Sequence, residues 1–237
     1  MNFVGLFQAL DTSQSTNSKR DALITFIRES DPLESALAIA ALTDRARGKR
    51  LKPNVLKQTA YLAFGEDRWL FEECYAAVGD LSETLAILFA DQETSPEITQ
   101  PVLADWIHRQ EKLGQLELRE LTNELLLLLK AFSKDEAFLF LKLSSGGFRV
   151  GVNKGLVHDA VAQAVAVDRA IIEERLMGEF VADGDWLNRL QSPITQDELD
   201  AKPLPFLLAN PLIKNDLSSL DPSTVLVNTN GTVSVHN

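Results

Sequence analysis

Apolar residues recur at helical spacing from Phe3 to Leu190, and nearly every interruption of that pattern is a helix stop or start signal. Phe3, Leu6, Phe7 and Leu10 open an amphipathic segment that ends at Asp11-Thr12-Ser13. Leu23, Ile24, Phe26 and Ile27 mark a second over 19–28, followed by Asp31-Pro32, an N-cap with proline at the first helical position. An Ala- and Leu-rich helix over 33–43 comes next. Pro53 opens another, with Leu56, Ala60 and Phe64 inward and Gly65 at its end. Asp67 is placed to cap a helix carrying Trp69, Leu70, Phe71 and Tyr75. Gly79 stops it, and Asp80 followed by Glu83 three residues on has capping-box spacing, with Leu81, Leu85 and Leu88 inward.

Beyond a polar, acidic linker at 91–101, the pattern predicts helices over 102–112, 118–130, 134–143, 156–166, 168–177 and 180–190. The start of the last is blurred by Asp183-Gly184-Asp185. Such a chain buries its apolar faces helix on helix, so the fold class is all-α, a multi-helix array through about residue 200. No repeat of fixed period marks it as a solenoid. The tail changes character: Lys202-Pro203-Leu204-Pro205 is an extended linker, and 224–227 and 232–235 alternate like strands around Asn228-Thr229-Asn230-Gly231. The expected organisation is a helical domain over 1–200, with a candidate seam at 91–101, then a linker and hairpin tail over 201–237.

With 237 residues, the chain can bury a sizeable core as one large domain or two small ones. A hydrophobic share of 45% beside a charged share of 24% is that of a globular protein. Cys74 is the sole cysteine, which excludes an intramolecular disulfide and favours a reducing cytosol; among apolar neighbours it reads as a core residue. The N-terminus lacks a positive region and Asp11 interrupts its apolar run, so no signal peptide is expected. No apolar run approaches the ~18 residues of a membrane span, and the longest, 125–129, belongs to a buried helix. The reading is therefore a cytoplasmic monomer without a membrane partner.

Chemistry concentrates in one stretch, 142–164, which reads KLSSGGFRVGVNKGLVHDAVAQA. A helix ends at Ser144-Ser145-Gly146-Gly147, and the chain extends through Phe148-Arg149-Val150-Gly151-Val152. A new helix follows, with Asn153 as N-cap and Leu156, Val157, Ala160, Val161 and Ala164 on one face. Lys142, Arg149 and Lys154 fall here, and no acid appears until Asp159. Backbone amides at a helix start flanked by cations suit a phosphate. A second basic run, Arg45, Arg47, Lys49, Arg50 and Lys52, places five cations in eight residues with no acid between them. The formal net charge of −11 does not oppose this, because a nucleic-acid footprint needs only a local positive face. A charge run of this kind is otherwise a solvated loop.

Other chemistry lacks support. His108, His158 and His236 are far apart with no ligand partners at helical spacing, so no metal site is expected. His158 reads as a solvent-exposed helix position or one facing DNA. No P-loop is present, and the glycines at 146, 147 and 151 are not a dinucleotide fingerprint. Ser144 and Ser145 lack the context of a nucleophile. The carboxylates suit helix caps and solvated faces, and Trp69, Trp106 and Trp186 suit core or helix contacts.

Together, "RARGKRLKPNVL" from Arg45, "WLFEECYAAVGDLSETLAILF" from Trp69, "GGFRVGVNKGLVHDAVAQA" from Gly146 and "PLPFLLANPL" from Pro203 resemble the N-terminal DNA-binding domain of ATP-dependent DNA ligases, nearest to the bacterial repair-type branch. The most specific parts are 78–84 and 148–152, and the resemblance extends to about residue 212. It implies sequence-independent binding of duplex or nicked DNA through the sugar–phosphate backbone, in DNA repair, replication or recombination in the bacterial cytosol or nucleoid. Carried onto this sequence, the DNA-binding residues are Lys142, Ser145, Gly146, Gly147, Arg149, Gly151, Asn153 and Lys154, with Arg45, Arg47, Lys49, Arg50 and Lys52 clamping a second stretch of backbone.

In that family, a segment like 203–212 leads into a nucleotidyltransferase domain whose Lys-x-Asp-Gly lysine takes the AMP. No such motif occurs here: Lys214-Asn215-Asp216-Leu217 has leucine where glycine is needed, and the expected position reads Val227-Asn228-Thr229-Asn230-Gly231. Neither Asn nor Thr replaces a lysine that must form a phosphoramide. The chain is thus not expected to ligate DNA alone. It should hold no catalytic residue and no cofactor, ATP and Mg belonging to the absent nucleotidyltransferase and OB-fold domains. Two other readings stand beside the DNA-binding module: a helical protein-interaction scaffold derived from a ligase, and one piece of a split ligase whose catalytic domains come on another chain.

Overall fold

The structure is a computed structural model that describes residues 1–45, 51–90, 102–146, 151–177, 181–193 and 195, together with two short strands at 225–227 and 233–235. It divides into two units, Met1–Pro193 and Ile194–Asn237.

The first unit is all-α among its described residues. Its helices are α1 (Phe3–Thr12), α2 (Thr16–Glu29), α3 (Pro32–Leu42), α4 (Pro53–Phe64), α5 (Arg68–Val78), α6 (Leu81–Phe89), α7 (Val102–Leu113), α8 (Leu118–Ala131), α9 (Lys134–Ser145), α10 (Lys154–Val165), α11 (Arg169–Met177) and α12 (Trp186–Leu190). Most start where the sequence places a cap. Asn2 Oδ1 accepts from the Gly5 amide at 2.8 Å, Asp31 Oδ1 from the Leu33 amide at 2.9 Å, and Asp80 Oδ1 from the Glu83 amide at 2.9 Å. Each such cap is worth about 1 kcal/mol.

The helices pack in two groups. In one, α10 lies along α2, the most extensive pairing in the fold, with α1 also on α2 and α11 on α10. Leu23, Phe26 and Ile27 of α2 and Val157, Ala160 and Val161 of α10 are buried. For each large side chain that burial contributes about 1.5–3 kcal/mol. Arg28 fastens the far end of this pair, donating to the carbonyls of Gln163 at 2.8 Å and Ala164 at 3.2 Å. In the other group, α4 packs on α8, α6 on α9, and α5 on both α4 and α6. Trp106 of α7 joins the groups, with Phe3 of α1 edge-on at 6.4 Å and Phe140 of α9 at 6.1 Å.

Among the described residues, several polar groups inside this core are paired, as burial demands, while the buried Arg20 Nε has no hydrogen-bond partner. The buried Glu34 accepts the Leu103 amide with both oxygens, at 2.9 and 3.1 Å, and so anchors the start of α7 to α3. Trp186 Nε1 donates to Ser35 Oγ at 3.1 Å, and Gln110 Nε2 donates to Ser144 Oγ at 2.7 Å.

Several expectations are corrected. Trp69 is 65% exposed and Leu70 41%, because α5 buries Phe71 and a run of three apolar residues does not say which face turns inward. Asp67 belongs to a 3-10 turn, Gly65–Asp67, and makes no side-chain cap. Asp80 caps α6, but Glu83 does not complete a capping box. Cys74 is only half-buried. The last helix spans Trp186–Leu190 rather than 180–190. Asp183 instead accepts the Asp185 amide at 2.9 Å and pairs with Arg189 at 2.8 Å, while Arg189 also donates to the Val181 carbonyl. The candidate seam at 91–101 lies outside the described residues.

In the second unit, β1 (Val225–Val227) and β2 (Val233–Val235) pair antiparallel, with Val225 opposite Val235, Leu226 opposite Ser234 and Val227 opposite Val233. This is the hairpin that the alternation predicts.

Candidate nucleic-acid interface

The chain reaches the glycine-rich turn from the end of α9. Ser144 is buried there, its hydroxyl donating to the Phe140 carbonyl at 2.6 Å, and Ser145 Oγ donates to the Lys142 carbonyl at 3.3 Å. Gly146 ends the helix at φ +76°, and its amide returns to the Leu143 and Lys142 carbonyls. Such a left-handed C-cap is where glycine replaces side-chain strain with freedom. Gly147, Phe148, Arg149 and Val150 lie outside the described residues.

Gly151 resumes the chain at φ +61°, and a Cβ built on it would stand 3.0 Å from Lys19 Nζ. That ammonium donates to the Gly151 carbonyl at 3.3 Å, so a lysine of α2 holds the turn that leads into α10. Asn153 then caps α10, its Oδ1 accepting the Leu156 amide at 2.8 Å. The amides of Lys154 and Gly155 have no carbonyl four residues back within the helix, and the first turn carries no acid. Lys154 is exposed and has no ion-pair partner among the described residues.

The second basic run meets the same place. Asp44 takes φ +60°, turning the chain so that the Arg45 amide donates to the Ala40 carbonyl at 2.7 Å. The Arg45 guanidinium donates to the Met177 carbonyl at 3.3 Å, at the end of α11. At the other end of the run, the Leu51 amide donates to the Ser144 carbonyl at 2.8 Å, on the last turn of α9. The two basic segments are therefore neighbours, although about a hundred residues separate them. Lys52 is exposed beside that junction; Arg47, Lys49 and Arg50 lie outside the described residues.

Two cations are already balanced by carboxylates. Lys142 Nζ stands 2.6 Å from Asp80 Oδ2 and over the Phe138 ring. Burial pushes the Asp80 carboxyl up, but the bonds from Lys142 and from the Glu83 and Ser82 amides outweigh it and hold the group below the ordinary carboxylate range. Arg169, which the sequence reading did not single out, lies 2.8 Å from Asp159 and 2.9 Å from Glu173. A Cβ on Gly155 would meet Arg169 Nη2 and Asn153 Oδ1, each at 3.4 Å, so the guanidinium approaches the first turn of α10 closely. Among the described residues, the acids paired with these cations are Asp80, Asp159 and Glu173.

His158 is not the exposed position that its sequence neighbours suggest. Its side chain is 14% exposed, with Nδ1 3.7 Å from Glu173 Oε1. Burial lowers its pKa most; Glu173 opposes that shift, and Arg169 and Arg45 add to it. His108 is elsewhere, in a groove of about 710 Å³ between α7 and α8 that is also lined by Arg109, Lys112, Glu120 and Glu124. Among the described residues no group of side chains could hold a metal ion, and no helix is long and apolar enough to cross a membrane.

A family model described as DNA ligase N terminus matches residues 1–162, which takes in both basic segments, the glycine-rich turn and most of α10. The chain belongs to the DNA ligase N-terminus family. It is also similar to a DNA ligase of Methanobrevibacter smithii, with 26% identity over 111 residues. That stretch is 45% of this chain and 20% of the relative, so the chain matches only about a fifth of that ligase's length.

Proposed function

We propose that this chain is a DNA-binding module that grips the sugar–phosphate backbone of duplex DNA, around a nick, mainly across the minor groove and without sequence preference. The observation that carries the reading is the meeting of the two basic segments at the end of α9, beside the acid-free start of α10. A helix start of this kind offers backbone amides and a positive dipole end to a phosphate. Lys154 and Lys52 supply cations without described partners, and Lys19 and Arg45 add two more. Arg47, Lys49, Arg50 and Arg149, which lie outside the described residues, are further phosphate contacts in this reading, while Lys142 acts mainly through its pair with Asp80. Contacts to phosphate position a protein without reading bases, hence the absence of sequence preference.

Membership of the ligase family supports a place in joining DNA, in repair, replication or recombination. This chain's own residues supply the grip, while adenylation with ATP and Mg belongs to nucleotidyltransferase and OB-fold domains. The test is fluorescence anisotropy with a labelled nicked duplex, an intact duplex and a single strand, each at two salt concentrations. The expected result is micromolar or tighter duplex binding that collapses with salt, by a slope of about −0.9 for each phosphate neutralised. Absence of binding at low salt would favour a helical protein scaffold instead.

A further inference from the structure

His158 is a titratable group at the edge of this interface for which phosphate contact assigns no role. Its ring sits on α10 with Nδ1 3.7 Å from Glu173 of α11, whose Oε1 also takes Arg169 Nε at 2.9 Å, and the charge of Arg45, from the turn after α3, acts on the ring as well. Asp159, next to it on α10, is paired with Arg169. From α2, Lys19 reaches the Gly151 carbonyl before α10 begins, and Arg28 reaches carbonyls at its end. Asp44 adjoins Arg45 in the chain. Of the cations near the ring, Arg45 belongs to the basic run that the DNA-binding reading places against phosphate, and Arg169, though paired with Asp159 and Glu173, closely approaches the start of α10.

We propose that His158 takes up a proton when duplex DNA docks on the face formed by Arg45, Lys154 and Arg169, so that the module grips DNA more tightly as the pH falls. The inference rests on the DNA-binding reading and concerns the regulation of that same site. In the free protein the buried position of the ring, and to a smaller extent the two guanidiniums, favour neutral imidazole. A phosphate against those guanidiniums cancels their repulsion and adds an attraction of its own, leaving Glu173 to stabilise imidazolium. Protonation and DNA binding then favour each other reciprocally, as linkage requires. The sign follows: a histidine whose folded pKa is depressed costs the free fold stability as the pH drops below the ordinary histidine range, and bound DNA removes part of that cost.

The test has two arms, both on the full chain. In the first, the His158 ring protons are followed by NMR against pH, alone and with a saturating nicked duplex; the midpoint should rise on adding DNA. In the second, duplex affinity is measured at constant ionic strength from about pH 8 to about pH 5.5, where one proton taken up gives at most tenfold per pH unit and about three- to tenfold overall is expected. His158→Gln should flatten that profile, while His108→Gln should leave it. Duplex binding with a flat profile, or a His158 midpoint unmoved by DNA, would overturn the proton linkage alone. No duplex binding at any pH would overturn the linkage and the DNA-binding reading together.

Discussion

The two helices on either side of the glycine-rich turn begin in opposite ways. At the start of α9, Ser133 and Glu136 form a reciprocal capping box, the Ser133 amide donating to Glu136 Oε2 at 2.9 Å and the Glu136 amide to Ser133 Oγ at 3.4 Å. Asp135 adds a second acid and accepts from Gln8 of α1 at 2.6 Å. The positive end of that helix is answered within the protein. At the start of α10, Asn153 satisfies one amide, no acid follows in the first turn, and Lys154 adds a positive charge where the dipole already disfavours one. The lack of an acid alone does not set α10 apart, since α1, α2, α4, α5, α11 and α12 also begin without one; it is the cations beside the α10 start that the proposed reading answers with a phosphate. Helix formation alone does not require that arrangement, since α9 forms without it.

The largest effect is expected from Gly151→Val. At φ +61° a β-branched residue is strained by about 2 kcal/mol, and its Cβ would press on Lys19 Nζ. Thermal denaturation should show the lost stability, and duplex affinity should fall well over tenfold as the turn moves. Next comes Lys154→Glu, which gives α10 the kind of acidic first turn that α9 has. Its duplex affinity should drop about tenfold, with the salt slope reduced by about 1, while its melting temperature holds or rises. The mirror change on α9, Asp135→Lys, should leave duplex affinity unchanged; an equal loss there would erase the distinction between the two helix starts.

Capping is expected to separate them at a finer level. Ser133→Ala should cost about 1 kcal/mol of stability with no effect on DNA, whereas Asn153→Ala should cost a similar amount and also weaken duplex binding. The smallest effect is expected from Asp80→Asn, which keeps the cap of α6 but releases Lys142. A partly exposed pair of this kind contributes about 1 kcal/mol, and the Asp80 share, present above the ordinary carboxylate range, is lost as pH falls through its depressed pKa. Duplex affinity of this variant should rise slightly, because an ammonium is freed beside the turn.

The Asn153 cap is legible in the sequence because capping is local, reaching Leu156 within one turn; the Ser133–Glu136 box is just as local, but the sequence reading did not single it out. Asp31-Pro32 and the hairpin at 225–235 are legible for the same reason as Asn153. What surrounds the α10 start was less legible. Lys19 reaches Gly151 across 132 residues and Lys142 finds Asp80 across 62, and no periodicity encodes such pairings. Arg169 left one faint trace, Gly155, a glycine within the first turn of a helix where alanine would be about 1 kcal/mol better. Trp69 and His158 were misplaced for a common reason: composition says that a helix has two faces, and only packing says which is inside.

The most direct test of the claim that the α10 start receives a phosphate is a map of amide chemical shifts as a nicked duplex is titrated into the labelled chain. The expected result is that Gly151 and the amides of Asn153 to Leu156 move most, with Lys19 and Arg45 following, while Ser133 to Glu136 stay still. Binding accompanied by shifts centred elsewhere, with the α10 start unmoved, would contradict it.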